Sequence, residues 1–328
     1  MNKFNRFAGK RMPLLVIGCL CVGIAFSDRI GQLFFLVPFI FAFMTFVGTL
    51  NSTFRQLLNI AKNPLPLLVS LLLIHVAIPL LALGSGELFF RDKYSFIAGL
   101  VLEFVVPSAV SSFMWSSMTH GNSALTLSII LFDTLTAPFL VPFSLYALIG
   151  ARVNVDVTGM MRDLVWMVAV PALVTMLMNQ FSGGKTGKKL SPILAPYGKI
   201  ALLLIIMINS TRVAPFLRHM TPFLFGVIVT VLLVSVSGYA IGLLASFLLR
   251  QPDDIAASMT FGCGMRNISA GAVIAAAYFP AEVMFPVMTG TLFQQVLAST
   301  FSHLLMRRRS GTARRPGTGQ IPQNENKE

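Results

Sequence analysis

From Met12 to Met306 the chain is a nearly unbroken succession of apolar runs, most of them long enough to cross or nearly cross a bilayer. No stretch of about 100 residues is left between them for a separate soluble domain. Of the 328 residues 55% are hydrophobic and 11% charged, whereas a soluble domain carries about 25% charged residues. A water-soluble globule is thereby excluded, and so is general disorder. The 25 Lys and Arg against 12 Asp and Glu give a net charge of +13. In a bilayer protein that excess sets orientation and meets anionic lipid headgroups, so no nucleic-acid partner is expected.

Breaking the chain at charges and turn residues gives ten candidate helices. They run Met12 to Phe26, Leu33 to Leu50, Pro64 to Leu83, Phe96 to Trp115, Ala124 to Ile149, Leu164 to Met178, Ile193 to Ile208, Pro222 to Leu249, Ile255 to Phe279 and Met284 to Met306. The first and sixth are short, about 22 Å, and must borrow flanking residues or pack obliquely. Each start in the second half follows its counterpart in the first by 152 residues (Met12 to Leu164) to 160 residues (Leu33 to Ile193). The fold class expected is all-α: a polytopic membrane protein of ten transmembrane helices in two inverted five-helix repeats, 12–149 and 150–306. An odd number of spans per repeat makes the second copy enter from the opposite face.

With the N-terminus inside, 16 Lys and Arg fall on the internal side and 7 on the external side. A multi-pass protein of the cytoplasmic membrane with both termini cytoplasmic is expected. Residues 1–11 read as a basic cytoplasmic N-terminus. The tail 307–328, opening with Arg307-Arg308-Arg309 and rich in Gly, Pro, Asn and Gln, reads as a disordered anchor to acidic headgroups. Lys3 to Arg11 followed by Met12 to Phe26 has the look of a signal peptide, and Val16-Ile17-Gly18-Cys19 that of a lipoprotein box. The segment is read as retained, because apolar sequence continues past Cys19 and the first repeat needs it. Cys19, Cys21 and Cys263 lie in apolar runs with neither disulfide nor zinc spacing.

Two spans are interrupted. Pro107-Ser108-Ala109-Val110-Ser111-Ser112 places a helix breaker and hydroxyls in the middle of span four, and Gly262-Cys263-Gly264-Met265-Arg266-Asn267 places two glycines in the middle of span nine. The positions 107 and 262 are 155 residues apart, equivalent places in the two repeats. Irregular backbone at that depth is tolerated only where it lines a cavity or is buried in protein. Paired interruptions of this kind point to a midplane substrate site, and half-helix N-termini favour an anion. The plainer reading is a pair of kinks satisfied by neighbouring helices.

Three ionisable residues share that depth. Glu103 lies about 10 Å into span four, Asp133 about 13 Å into span five and Arg266 about 16 Å into span nine. An unpaired charge there costs at least roughly 3 kcal/mol, so these side chains are expected to face one another or water. Two acids and one arginine leave a carboxyl over. It is either a proton carrier for coupled transport or a permanently protonated bystander to a fixed Arg266–carboxylate clamp. His75, beside Pro79, reads as a hydrogen-bonded core histidine more readily than as a relay.

The runs Pro107-Ser-Ala-Val-Ser-Ser-Phe, Gly121-Asn122-Ser-Ala-Leu-Thr126 and Gly262-Cys-Gly-Met-Arg-Asn-Ile-Ser-Ala-Gly271, with Phe293-Gln294-Gln295 near the end, resemble the bile acid:sodium symporter family. The likeness extends over essentially the whole membrane part. It implies ten helices split into a panel domain (spans one, two, six and seven) and a core domain (three to five, eight to ten). It further implies alternating-access transport of small organic anions, with discontinuous helices crossing at the core's centre and two sodium ions. Ser112 matches a serine that ligates the first sodium, and Thr126 stands for another serine ligand. Phe113 replaces an asparagine, Ile130 a threonine and Gly262 the glutamate shared by both sodium sites, while the family's Gln-Asn pair appears as Arg266-Asn267.

A hard cation needs about six oxygen ligands with carboxylate help, and most of these are gone. Sodium coupling is therefore doubted, with a sodium ion left open and proton-coupled or uncoupled transport as the other expectations, and no other cofactor is expected. Arg266 is read as a tethered cation occupying the second ion's space, or else as the ligand of a substrate carboxylate. The expected function is secondary active transport of a small carboxylate, with Ser111, Ser112, Asn267, Gln294 and Gln295 lining the cavity, and with Glu103, Asp133, Arg266, Thr126 and His75 forming the coupling and charge cluster. The alternatives are arsenite or metalloid efflux, leaning on Cys263, and a channel. No enzyme is expected: His75, His120, His219 and His303 sit far apart without ligand spacing.

Overall fold

The computed structural model describes residues 2–53, 64–151 and 153–313, and among them every regular element is helical. The order is α1 (Asn2–Ala25), α2 (Ser27–Ile30), a 3-10 stretch (Gly31–Leu36), α3 (Val37–Thr49), α4 (Pro64–Leu72), a π turn (Leu73–Ala77), α5 (Ile78–Phe89), α6 (Tyr94–Val105), α7 (Ser111–Met118) and α8 (Ser123–Ile149). There follow α9 (Val157–Leu164), a second π turn (Val165–Ala169), α10 (Val170–Ser182), α11 (Lys185–Arg218), α12 (Pro222–Leu248), α13 (Asp253–Gly264), α14 (Ile268–Tyr278) and α15 (Ala281–Ala313).

Among the described residues six helical stretches are long and apolar enough to cross a membrane: Ser27–Thr49, Pro64–Phe89, Ser123–Ile149, Val157–Ser182, Lys185–Arg218 and Pro222–Leu248. The chain is thus a multi-pass, all-helical membrane protein. Shorter apolar helices are Leu14–Ala25, Tyr94–Val105 and Ile268–Tyr278. The last two are halves of the stretches read from sequence as interrupted spans.

Local chemistry sets the ends. Asn122 caps α8 by accepting from the Leu125 N–H at 3.0 Å, Thr221 caps α12 through the Leu224 N–H at 3.2 Å, and Asn267 caps α14 through the Ala270 N–H at 3.3 Å. Gly183 and Gly184, at φ 60° and 80°, supply the left-handed turn between α10 and α11. Both π turns precede a proline, Pro79 and Pro171. A proline has no N–H to give the carbonyl four residues back, and the helix accommodates the loss by locally widening. For Pro79 that carbonyl belongs to His75.

Helices α1, α3, α10 and α11 pack on one another, and α4 to α8 pack with α12 to α15. The second group holds the buried centre, where Ile74, Ile78, Leu100, Leu102, Ile129, Tyr239, Phe261 and Phe285 are among the largest fully enclosed side chains. The last helix does not stop at Met306 but runs to Ala313, so the start of the basic tail is helical and not disordered as expected. Residues 314–328 of that tail lie outside the described residues.

Candidate functional site

The two interruptions meet. Ser108 and Arg266 form an antiparallel bridge, flanked by the Ala109 N–H donating to the Met265 carbonyl at 3.1 Å and the Asn267 N–H donating to the Pro107 carbonyl at 2.7 Å. Backbone groups freed by the broken helices thus satisfy each other, as apolar surroundings require. The Ser108 hydroxyl adds a bond to the Gly262 carbonyl at 2.8 Å, and the side-chain Oε1 of Gln294 accepts the Arg266 N–H at 2.8 Å. Four half-helix ends converge here: the C-termini of α6 and α13 and the N-termini of α7 and α14.

The break in span nine is displaced from its expected place. Gly262 and Gly264 remain inside α13, and the non-helical residues are Met265 to Asn267. These glycines serve packing. A β-carbon on Gly264 would enter the ring of Tyr239, and one on Gly262 would come within 3.0 Å of Ile129 Cδ1.

Around the bridge lie the ionisable side chains. Arg266 is 2% exposed, and among the described residues nothing accepts a hydrogen bond from its Nε, Nη1 or Nη2. Its charge is felt by Glu103, Asp133, Cys263 and Tyr239. Asp133 is fully buried; its Oδ2 accepts the Ser108 N–H at 2.7 Å and its Oδ1 lies 3.1 Å from His75 Nε2. The clamp between Arg266 and a carboxylate weighed from sequence is therefore not what forms. Asp133 faces a histidine and a backbone amide, because the π turn swings His75 toward α8 and Ser108 arrives with the crossing. Glu103 is buried too, with Oε1 directly over Gly290 of α15.

The other candidates distribute as follows. Ser112 is buried with its hydroxyl unbonded among the described residues, while Ser111 opens α7 half-buried. Asn267 and Gln294 sit at the bridge, and Gln295 accepts the Trp115 indole N–H at 3.0 Å. Thr126 belongs to a separate hydroxyl cluster, 2.8 Å from Ser116 Oγ, with Ser258 3.3 Å beyond. Sequence reasoning missed the backbone and hydroxyl roles of Ser108, which lay inside the quoted run. It also missed Tyr239, whose hydroxyl donates to the Gln294 carbonyl at 3.0 Å; a tyrosine deep in an apolar span was the available signal. A cleft of about 440 Å³ opens between α3 and α14, lined by Phe34, Val37, Trp166, Met167, Val273 and Ala277. None of the residues picked from sequence lines it.

The model of the Sodium Bile acid symporter family matches residues 38–219, more than half of the chain. The chain belongs to that family. This symporter-family member is therefore a transport protein and not an enzyme. It is 41% identical over 296 residues to the uncharacterized protein YbaS of Bacillus subtilis (strain 168), covering 90% of this chain and 97% of that one. It is 25% identical over 260 residues to a probable sodium/metabolite cotransporter, BASS1 of Arabidopsis thaliana chloroplasts, covering 78% of this chain and 63% of that one. Against YocS, an uncharacterized sodium-dependent transporter of Bacillus subtilis (strain 168), identity is 20% over 282 residues, 85% of each chain.

Phe113, Ile130 and Gly262 offer no side-chain oxygen where the resemblance implies ligands, and the Thr126 hydroxyl is engaged with Ser116 and the Asn122 carbonyl. The buried guanidinium of Arg266 stands at the crossing.

Proposed function

We propose that this protein is an alternating-access carrier of a small organic anion, built as ten spans in two inverted repeats, lying in the cytoplasmic membrane with both termini inside, and working without sodium. Arg266 acts as a tethered cation in place of a transported one. The observation that carries this reading is the buried, unaccepted guanidinium at the antiparallel crossing. The C-termini of α6 and α13 place partial negative charge beside it, and the N-termini of α7 and α14 leave partial positive charge for an anion. Ser111, Ser112, Asn267, Gln294 and Gln295 supply hydrogen bonds to the carboxylate's surroundings.

The test is uptake into proteoliposomes of radiolabelled pantoate, pyruvate, 2-oxoisovalerate and taurocholate, with sodium or choline as the external cation. At least one of them is expected to accumulate and to show counterflow, at equal rates in the two cations. Strong stimulation by sodium overturns the tethered-cation reading; conductance without counterflow identifies a channel.

A further inference from the structure

Tyr278 and Asp163 join the two helix groups by a direct side-chain bond. The Tyr278 hydroxyl, on the last residue of α14, donates to Asp163 Oδ2 at 2.5 Å. Asp163 stands on α9, which runs through the π turn Val165–Ala169 into α10 of the first group, whereas α14 belongs to the second. The other Asp163 oxygen lies 3.5 Å from Arg162 Nε. By contrast, the bonds of Asn179 stay inside the first group and that of Trp115 with Gln295 stays inside the second.

Aromatic packing crosses the seam at the same end. Phe216, in the last turn of α11, lies 6.2 Å from Phe96 of α6 and 5.6 Å from Phe285 of α15, ring to ring. Apolar contact is non-directional, so rings can slide over one another. A hydroxyl–carboxylate bond weakens steeply once its oxygens leave about 2.5–3.0 Å. The Tyr278 bond is therefore the contact that a relative movement of the groups breaks first.

Both of its anchors suit a moving part. Helix α14 has 11 residues, about 16 Å, and its opposite end is capped by Asn267, whose N–H is held by the Pro107 carbonyl in the crossing. One short helix thus connects the crossing to Asp163. On the other side the π turn begins at Val165, just past Asp163, and precedes Pro171; such a turn interrupts the regular ladder and lets a helix change direction. Asp163, Trp166, Met167, Val273 and Ala277 all stand in the walls of the cleft between α3 and α14, so the bonded pair sits at its edge. Val273, one turn nearer the crossing, is 3% exposed.

We propose that the Tyr278–Asp163 bond is a latch between the helix groups, closed in this structure and opened once in each transport cycle. This rests on the carrier reading above and names its moving contact. With the latch closed, α14 is pinned to span six and Val273 is shut in the seam. With it open, α14 and the crossing swing away from α9, and water reaches Val273. The Asp163 carboxylate then keeps Arg162 as a partner and the Tyr278 hydroxyl turns to water, so neither group is stranded.

The experiment first reads opening without a solute. Val273→Cys is combined with wild type, with Tyr278→Phe and with Asp163→Ala, and labelling by a charged methanethiosulfonate is timed in proteoliposomes. The same chains lacking Val273→Cys give the background from Cys19, Cys21 and Cys263. Each latch variant is expected to speed labelling about tenfold, the weight of one hydrogen bond to a charged group, and the two together no more than either alone. In the second arm Asp163→Cys and Tyr278→Cys are combined and bridged by a bifunctional methanethiosulfonate. Counterflow of whichever of the four carboxylates is carried should be lost and should return on reduction with dithiothreitol, while each single variant keeps its counterflow in the reagent. Labelling unchanged in both latch variants overturns the proposal, even if their thermal midpoints fall, since the bond then only fastens the fold; counterflow that survives bridging overturns it as well. If none of the carboxylates is carried, the carrier reading falls, and labelling still decides whether the bond is a latch. Tyr278→Phe, which removes a single oxygen, decides alone should Asp163→Ala fail to fold.

Discussion

The ring of Tyr239 lies directly against the Cα of Gly264, so closely that a β-carbon at 264 would enter the ring. Tyr239 is fully buried, stacks on Phe301 at 4.9 Å and anchors its hydroxyl on Gln294. It therefore has nowhere to retreat. Gly264→Ala is expected to destabilise the protein by about 1–3 kcal/mol, the usual cost of overpacking a close-packed site, and to lower uptake through displacement of Arg266 two residues on. Thermal unfolding in detergent checks it; an unchanged midpoint would show that the crossing is free to slide.

Asn179, 3% exposed at the end of α10, satisfies three backbone groups at once. Its Nδ2 donates to the Leu50 carbonyl at 2.6 Å and the Ser52 carbonyl at 2.9 Å, and its Oδ1 accepts the Gly187 N–H at 2.9 Å. Each orphaned group costs about 1–3 kcal/mol when buried. Asn179→Ala is expected to lower stability by at least about 2 kcal/mol while leaving the cation dependence of any residual transport unaltered, since the residue belongs to the α3–α10–α11 group. A shift in that response would place the two helix groups in closer coupling than the packing indicates.

Much of this architecture is written in hydropathy and breakers. Pro107 forecasts an interruption because proline removes a donor and restricts its predecessor, and α6 does end at Val105. Buried charge is likewise visible in one dimension, since Glu103, Asp133 and Arg266 stand out in apolar runs. Which charge meets which is not visible. The approach of His75 to Asp133 depends on a π turn induced by Pro79 and on how α4–α5 lies against α8, both consequences of tertiary packing. The glycines of span nine misled in the same way: the sequence offers them as breakers, yet their use is to admit Tyr239 and Ile129.

Glu103 and Gly290 make a second steric pair, the carboxylate of α6 filling the space that a side chain on α15 would need. Gly290→Ala is expected to destabilise, and Glu103→Ala to relieve part of the clash in the double variant. Neighbouring sites of this kind couple by about 0.5–3 kcal/mol. A double-mutant cycle on thermal midpoints reads the coupling directly. Strict additivity would mean that the carboxylate swings away from Gly290 and that its enclosure there has no steric role.

Arg266 offers the sharpest division between a tethered and a transported cation. Its guanidinium is buried beside two helix C-termini and within electrostatic reach of Asp133 and Glu103. Removing the charge leaves those groups uncompensated in a medium of low polarity, which costs several kcal/mol. Arg266→Gln, which restores the glutamine implied by the family resemblance, is expected to reduce uptake in choline by tenfold or more. Sodium should then recover part of the loss, because a mobile cation can enter the vacated space. Arg266→Lys keeps a charge but not the planar fork and should fall between the two, with no sodium effect. Uptake of the same carboxylate in sodium and in choline, measured for wild type and both variants, decides the matter: equal rates across all three proteins would show that the buried guanidinium takes no part in holding the crossing.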